Sequence, residues 1–296
     1  MNAKVFTGCG TALLTPFHAD GSVDYAAFAA TVDRQVAAGI HFLVPLGTTG
    51  ETPCLSVEER REILRITREH AAGRPVVAGV GTNSLTATLE NIRSLAGVQP
   101  DAYLVVVPYY NKPTQEGLYA YFKAVAEAAD RPVILYNVPG RTGANLAAET
   151  TLRLASDCPN IIAVKEASGN YAQISTVIRN RPDGFLVLSG NDDETLSLMA
   201  TGADGVISVA SNVAPYEMVA LVEALRQEDM PSARALHYRL MPLFKHCFIE
   251  SNPIPAKAAM AQMGLMENIL RLPLVPATPK TEEILAQTLA ELCPRK

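Results

Sequence analysis

Lys165 ends an apolar run, Ile161-Ile162-Ala163-Val164, and is followed by Glu166, Ala167, Ser168 and Gly169. A buried strand that finishes on an ammonium disfavours its charge, and the neutral amine adds to carbonyl carbons. The chemistry in prospect is Schiff-base formation. A strand-end lysine also commonly snorkels to solvent, so the other polar clusters must decide between the two. Gly47-Thr48-Thr49-Gly50-Glu51 combines hydroxyls with glycines that let backbone N–H groups approach an anion, although the same motif alone is an ordinary turn. Tyr136 closes another apolar run and, pointed at the same place as Lys165, would pass protons while a carbinolamine forms and breaks down. As a core tyrosine it would only need its hydroxyl satisfied. Arg141, in the loop Val138-Pro139-Gly140-Arg141-Thr142-Gly143, carries a planar fork that suits a second carboxylate, and is otherwise a solvated charge. Lysine, hydroxyls and arginine together suggest a 2-oxo acid condensing with another acid.

These clusters follow short aliphatic runs, at residues 11–14, 42–46, 76–80, 103–107, 133–136, 161–164, 185–188 and 206–209. Amphipathic segments lie between several of them. Residues 57–70 follow Ser56 as N-cap, with Glu59 completing a capping box, and 85–96, 115–129, 147–155, 192–200 and 215–226 have similar character. Eight strand-helix units with runs apolar on both faces predict a parallel sheet closed as a (β/α)₈ TIM barrel, whose chemistry sits at the carboxyl ends of the strands. An open doubly wound sheet is the competing fold, but eight strands in about 200 residues without a long switch connection favour closure. After Gln227 the strand signal stops and helices broken by prolines follow, at 231–249, 255–263 and 280–292. We therefore expect a catalytic barrel over residues 1–227 and a C-terminal helical appendage over 228–296.

The 296 residues carry a formal net charge of −5, with no basic run that would attract nucleic acid. Cys9, Cys54, Cys158, Cys247 and Cys293 form no C-x-x-C pair and read as free thiols of a reducing compartment. No apolar run is long enough for a signal peptide or a membrane span, so a cytoplasmic protein is expected. The histidines, His18, His41, His70, His237 and His246, show no metal spacing. With no nucleotide-binding glycine fingerprint and no Ser-His-Asp signature either, neither a metal nor another cofactor is expected.

Five segments together resemble one family: Gly47 to Glu51, Pro108-Tyr109-Tyr110-Asn111-Lys112-Pro113, Tyr136 to Gly143, Val164 to Gly169, and Asn252-Pro253-Ile254-Pro255. In this combination and order, over nearly the whole chain, they are similar to the dihydrodipicolinate synthases (4-hydroxy-tetrahydrodipicolinate synthases). Lys165 and the Gly-Thr-Thr-Gly-Glu motif alone would indicate only the wider pyruvate-aldolase superfamily. The resemblance implies condensation of pyruvate with L-aspartate 4-semialdehyde, early in lysine biosynthesis, by a homotetramer built as a dimer of dimers. It makes Lys165 the nucleophile and Tyr136 the centre of a proton relay through Thr48 to Tyr110, with Tyr110 reaching into the neighbouring subunit. It assigns Thr49 to the pyruvate carboxylate, Arg141 to that of the semialdehyde, and Gly190 and Ile207 to the lining around the imine. Another class I pyruvate aldolase is the alternative; a non-catalytic 2-oxo-acid sensor would not need the amine. Lysine-inhibited members place polar or acidic groups where this chain has Val57 and Ala87, while Asn83 and Tyr109 match, so lysine is expected to inhibit weakly or not at all.

Overall fold

The computed structural model describes residues 3–292; Cys293 lies outside them. Eight strands, β1 (Gly8–Ala12), β2 (Phe42–Val44), β3 (Val77–Gly79), β4 (Ala102–Val106), β5 (Val133–Asn137), β6 (Ile161–Glu166), β7 (Leu186–Ser189) and β8 (Gly205–Ser208), alternate with helices. The helices are α1 (Tyr25–Ala37), α2 (Val57–His70), α3 (Leu85–Ser94), α4 (Gln115–Ala128), a one-turn α5 (Pro139–Thr142), α6 (Ala148–Asp157), α7 (Tyr171–Asn180), α8 (Thr195–Ala200) and α9 (Pro215–Arg226). The strand ladder runs β2-β1-β8-β7-β6-β5-β4-β3, and every ladder pair is parallel. A parallel bridge from Leu43 to Val76 joins its two ends and closes the barrel.

Side chains alternate across each strand, so one parity fills the barrel and the other packs under the helices. Ala12, Phe42, Val44, Val77, Leu104, Ile134, Ala163, Leu186, Leu188 and Ile207 form the inner cluster. Phe42 takes so much of this space that a Cβ on Gly10 would lie 2.1 Å from its ring, which explains a glycine inside β1. The register aligns Tyr136 of β5 with Lys165 of β6, and Lys165 with Leu188 of β7. Tyr136 and Lys165 therefore share the inward parity, near the carboxyl ends of their strands. Glu166 has the opposite parity: Asn137 Nδ2 at 3.0 Å, Gln173 Nε2 at 3.2 Å and the Ser168 N–H at 2.9 Å donate to its carboxylate.

The predicted barrel is present, with differences at its edges. β1 begins three residues before the expected run because Gly8, Cys9 and Gly10 carry no β-branched signal. Helices α1 and α7, capped by the Asp24 and Asn170 side chains, were absent from the expected set; α1 is alanine-rich and shows little polar punctuation. Ser56 and Glu59 form both bonds of the capping box. Beyond α9 come α10 (Met230–His246), α11 (Ile254–Gln262) and α12 (Pro279–Leu292), whose buried Leu240, Leu243, Met260 and Leu285 belong to the same apolar cluster as the barrel's outer layer.

Candidate active site

Lys165 is 5% exposed and its Nζ lies 4.3 Å above the Tyr136 ring. Burial lowers its pKa to about 8; the Arg141 charge pushes the same way and the Asp192 carboxylate opposes it. No carboxylate among the described residues pairs with it. At pH 7 roughly a tenth of such an amine is unprotonated, against well under about 1% of an ordinary lysine. Tyr136 is buried as well. Desolvation raises its pKa, offset by the Arg141 charge and a hydrogen bond with the Thr48 side chain.

A small cavity of about 50 Å³ at the barrel mouth is lined by Thr48, Thr49, Tyr136, Arg141, Lys165, Gly190 and Asn252 among others. The loop after β2 contributes a tight turn over Thr48–Gly50, whose first N–H groups have no partner within the turn. Neither of its glycines has a positive φ; the left-handed residues are Leu46, at φ 61°, and Glu51, at φ 53°. Gly190 is small of necessity, since a Cβ there would meet Ala167 Cβ at 2.7 Å and Lys165 Cε at 3.2 Å. Arg141 stands on α5 at the rim, with Nη2 donating to the Asn252 carbonyl at 3.1 Å. Ile207 does not line this cavity; it belongs to the inner apolar cluster, and Val209 provides the lining from that side.

Tyr110 is placed apart from the other expected site residues. It is 88% exposed, with a left-handed φ of 75°, and lines neither this cavity nor the cleft beside it. That cleft, about 510 Å³, shares Thr48, Tyr136 and Arg141 with the cavity and also takes in Ala87 and Tyr109. Among the described residues its charged lining is Arg60 and Arg141, and no acidic side chain lines it.

Three residues near the site carry more than sequence reasoning assigned them. Asp192, buried at the end of β7, accepts from the N–H groups of Val209 at 3.0 Å and Ala210 at 2.9 Å and sets a negative field near Lys165. Glu51 pairs with a fully buried Lys257 at 2.6 Å. Asn252 Nδ2 donates to Thr49 Oγ1 at 3.0 Å. Contacts between residues so distant in sequence leave no local signal. Glu51 and Asn252 were flagged only as members of the Gly47 to Glu51 and Asn-Pro-Ile-Pro segments, without these partners.

Comparison with known proteins agrees with this architecture. The family model described as the dihydrodipicolinate synthetase family matches residues 5–292. The 4-hydroxy-tetrahydrodipicolinate synthase of Thermosipho melanesiensis is 48% identical over 287 residues, 97% of this chain and 99% of the relative. That of Koribacter versatilis is 51% identical over 286 residues, 96% of this chain and 95% of the relative. A crystal structure of dihydrodipicolinate synthase from Thermotoga maritima superposes with a TM-score of 0.95 at 44% identity, covering 97% of this chain and 99% of that one. The chain belongs to the dihydrodipicolinate synthetase family.

Proposed function

We propose that this protein is a 4-hydroxy-tetrahydrodipicolinate synthase, a lyase of lysine biosynthesis that condenses pyruvate with L-aspartate 4-semialdehyde. The observation that carries this reading is the unpaired, desolvated amine of Lys165 in a cavity that also holds Tyr136, Thr49 and Arg141. The neutral amine adds to the pyruvate ketone carbon, and Tyr136, hydrogen-bonded to Thr48, hands a proton to the departing hydroxyl so that water leaves and the imine forms. Loss of a methyl proton converts the imine to an enamine, whose carbon attacks the semialdehyde aldehyde; the second substrate's own amine then displaces Lys165 and closes the ring.

Thr49 and the turn around it hold the pyruvate carboxylate, and Arg141 at the rim receives that of the semialdehyde. Gly190 leaves room for the Lys165 side chain, and Ile207 supports the site from below. The exposed Tyr110 completes the proton relay of a neighbouring subunit within a tight dimer, two of which form a tetramer. Free thiols at Cys9, Cys54, Cys158 and Cys247 support placement in the cytoplasm, and no helix among the described residues is long and apolar enough to cross a membrane.

Purified protein supplied with pyruvate and L-aspartate 4-semialdehyde, coupled to a reductase that consumes the cyclic product, should oxidise the reductase's nicotinamide cofactor. Condensation of pyruvate with other aldehydes alone would point instead to a different pyruvate aldolase.

A further inference from the structure

Asn252 touches both anion-binding groups of the site, through different parts of itself. It is 5% exposed and lines the cavity that holds Lys165. Its side-chain Nδ2 donates to Thr49 Oγ1, whereas its backbone carbonyl accepts from Arg141 Nη2. Its Oδ1 is buried and has no hydrogen-bond partner. Turning the amide over would strand an NH₂ with two donors in place of one acceptor, so donation toward Thr49 is the favoured orientation. Thr49 Oγ1 then serves as an acceptor, and its own hydrogen has no acceptor among the described residues. The hydroxyl is left as a donor facing the cavity.

We propose that Asn252 is a positioning residue for the first substrate: it fixes the Thr49 hydroxyl as a hydrogen-bond donor to the 2-oxo acid's carboxylate, while its main chain holds Arg141 for the second. The inference rests on the function proposed above. Its division of labour gives it a distinctive signature, because a side-chain substitution removes the Thr49 bond and leaves the Arg141 bond, made to the backbone, in place.

Steady-state kinetics of Asn252→Ala should show the KM for pyruvate rising about tenfold, the worth of one hydrogen bond to a charged group, with the KM for the semialdehyde unchanged within about twofold. Asn252→Asp is nearly isosteric, yet it can only accept from Thr49, turning the hydroxyl's hydrogen away from the substrate and adding a negative charge beside a carboxylate. It should raise the pyruvate KM further, by about a hundredfold. In a Thr49→Val background Asn252→Ala should cost nothing more.

A purely structural role would make Asn252→Asp the milder variant, would lower kcat and raise both KM values together, and would add to Thr49→Val; any of these results overturns the proposal. Borohydride trapping of pyruvate on Lys165 reads the first site without the second substrate. Wild-type protein that traps pyruvate but turns over no semialdehyde would sink the synthase reading, and the Asn252 series would still be decided by the trapping rates at limiting pyruvate.

Discussion

Two lysines among the described residues are buried, and only one of them is suited to attack a carbonyl. Lys165 and Lys257 sit over aromatic rings at similar distances, 4.3 Å from Tyr136 and 4.1 Å from Phe17, and desolvation pushes the pKa of each down. They differ in what else they touch. Lys257 Nζ donates to Glu51 Oε1 at 2.6 Å inside a network in which the Arg271 backbone N–H also reaches Glu51, and the Arg271 guanidinium binds Glu59 and the Cys54 carbonyl. Its pKa falls to about 8 as well, so what sets Lys257 apart is its bond: the Nζ is tied to Glu51 in a fully buried pair, out of a substrate's reach. Lys165 has Asp192 near enough to feel but none close enough to bind, so burial is left unopposed by an ion pair. Burial makes a lysine neutralisable; the absence of a bonded carboxylate makes it a nucleophile.

The largest expected effect separates the two directly. Lys165→Met should lose on the order of 10⁴-fold or more in turnover while urea unfolding shows no loss of stability. Lys257→Met should instead lose about 3–5 kcal/mol of unfolding free energy, because Glu51 would be left buried without its partner. A stable, inactive Lys257 variant would break the contrast.

Arg141 sharpens it. Its charge is one of the forces that hold the Lys165 pKa down, so Arg141→Ala should move the pH midpoint of imine formation upward, toward that of an ordinary lysine. The same substitution removes the charge-assisted contact to the semialdehyde, costing about 2–4 kcal/mol in its use and far less in pyruvate binding. Equal loss at both steps, with no shift in midpoint, would assign Arg141 to structure alone.

A smaller effect, about tenfold or more in turnover, is expected for Tyr110→Phe, given the 10²–10⁴-fold worth of positioned proton transfer when a residual path is allowed. Its exposed side chain predicts an unchanged fold. Mixed dimers of Tyr110→Phe with Lys165→Ala chains, verified by mass spectrometry, should recover activity. Verified mixed dimers without recovery would argue against a shared site.

The smallest effect concerns free lysine as a ligand, a cation that needs what Lys257 has. Among the described residues the cleft beside the site is lined by two arginines and no acid, Val57 is an exposed aliphatic, and Ala87 offers a methyl group. Neutral hydrogen bonds of about 1 kcal/mol each do not replace an acidic contact to an ammonium. Lysine titrated into the coupled assay should leave the rate unchanged up to about 1 mM, equivalent to roughly 4 kcal/mol of binding; clear inhibition below that would show a cation held without a carboxylate.

The same contrast shows what the sequence discloses. Lys165, Tyr136, Thr48, Thr49 and Arg141 were legible because each follows an apolar strand, and a barrel gathers strand ends at one mouth. The eight strands were legible because both faces of each are buried, whereas α1 is alanine-rich with a shallow polar-apolar stripe, and α7, whose stripe is pronounced, was overlooked. Lys257 carried no signal at all. Its partner is 206 positions away, and nothing in a short window tells a lysine that will find a buried glutamate from one that will not. Gly50, expected to let backbone N–H groups approach an anion, is small because a Cβ would lie 3.2 Å from the Leu13 carbonyl oxygen.

Reductive trapping tests the central claim most directly. Protein incubated with pyruvate and borohydride at a series of pH values, then digested and mapped by mass spectrometry, should carry one reduced pyruvyl group on the peptide containing Lys165. The trapping rate at limiting pyruvate should rise with pH and reach half its plateau near 8, because the unprotonated amine accumulates through the lowered pKa. Label on Lys257, or a rate at Lys165 still climbing toward the ordinary lysine range, would contradict the account.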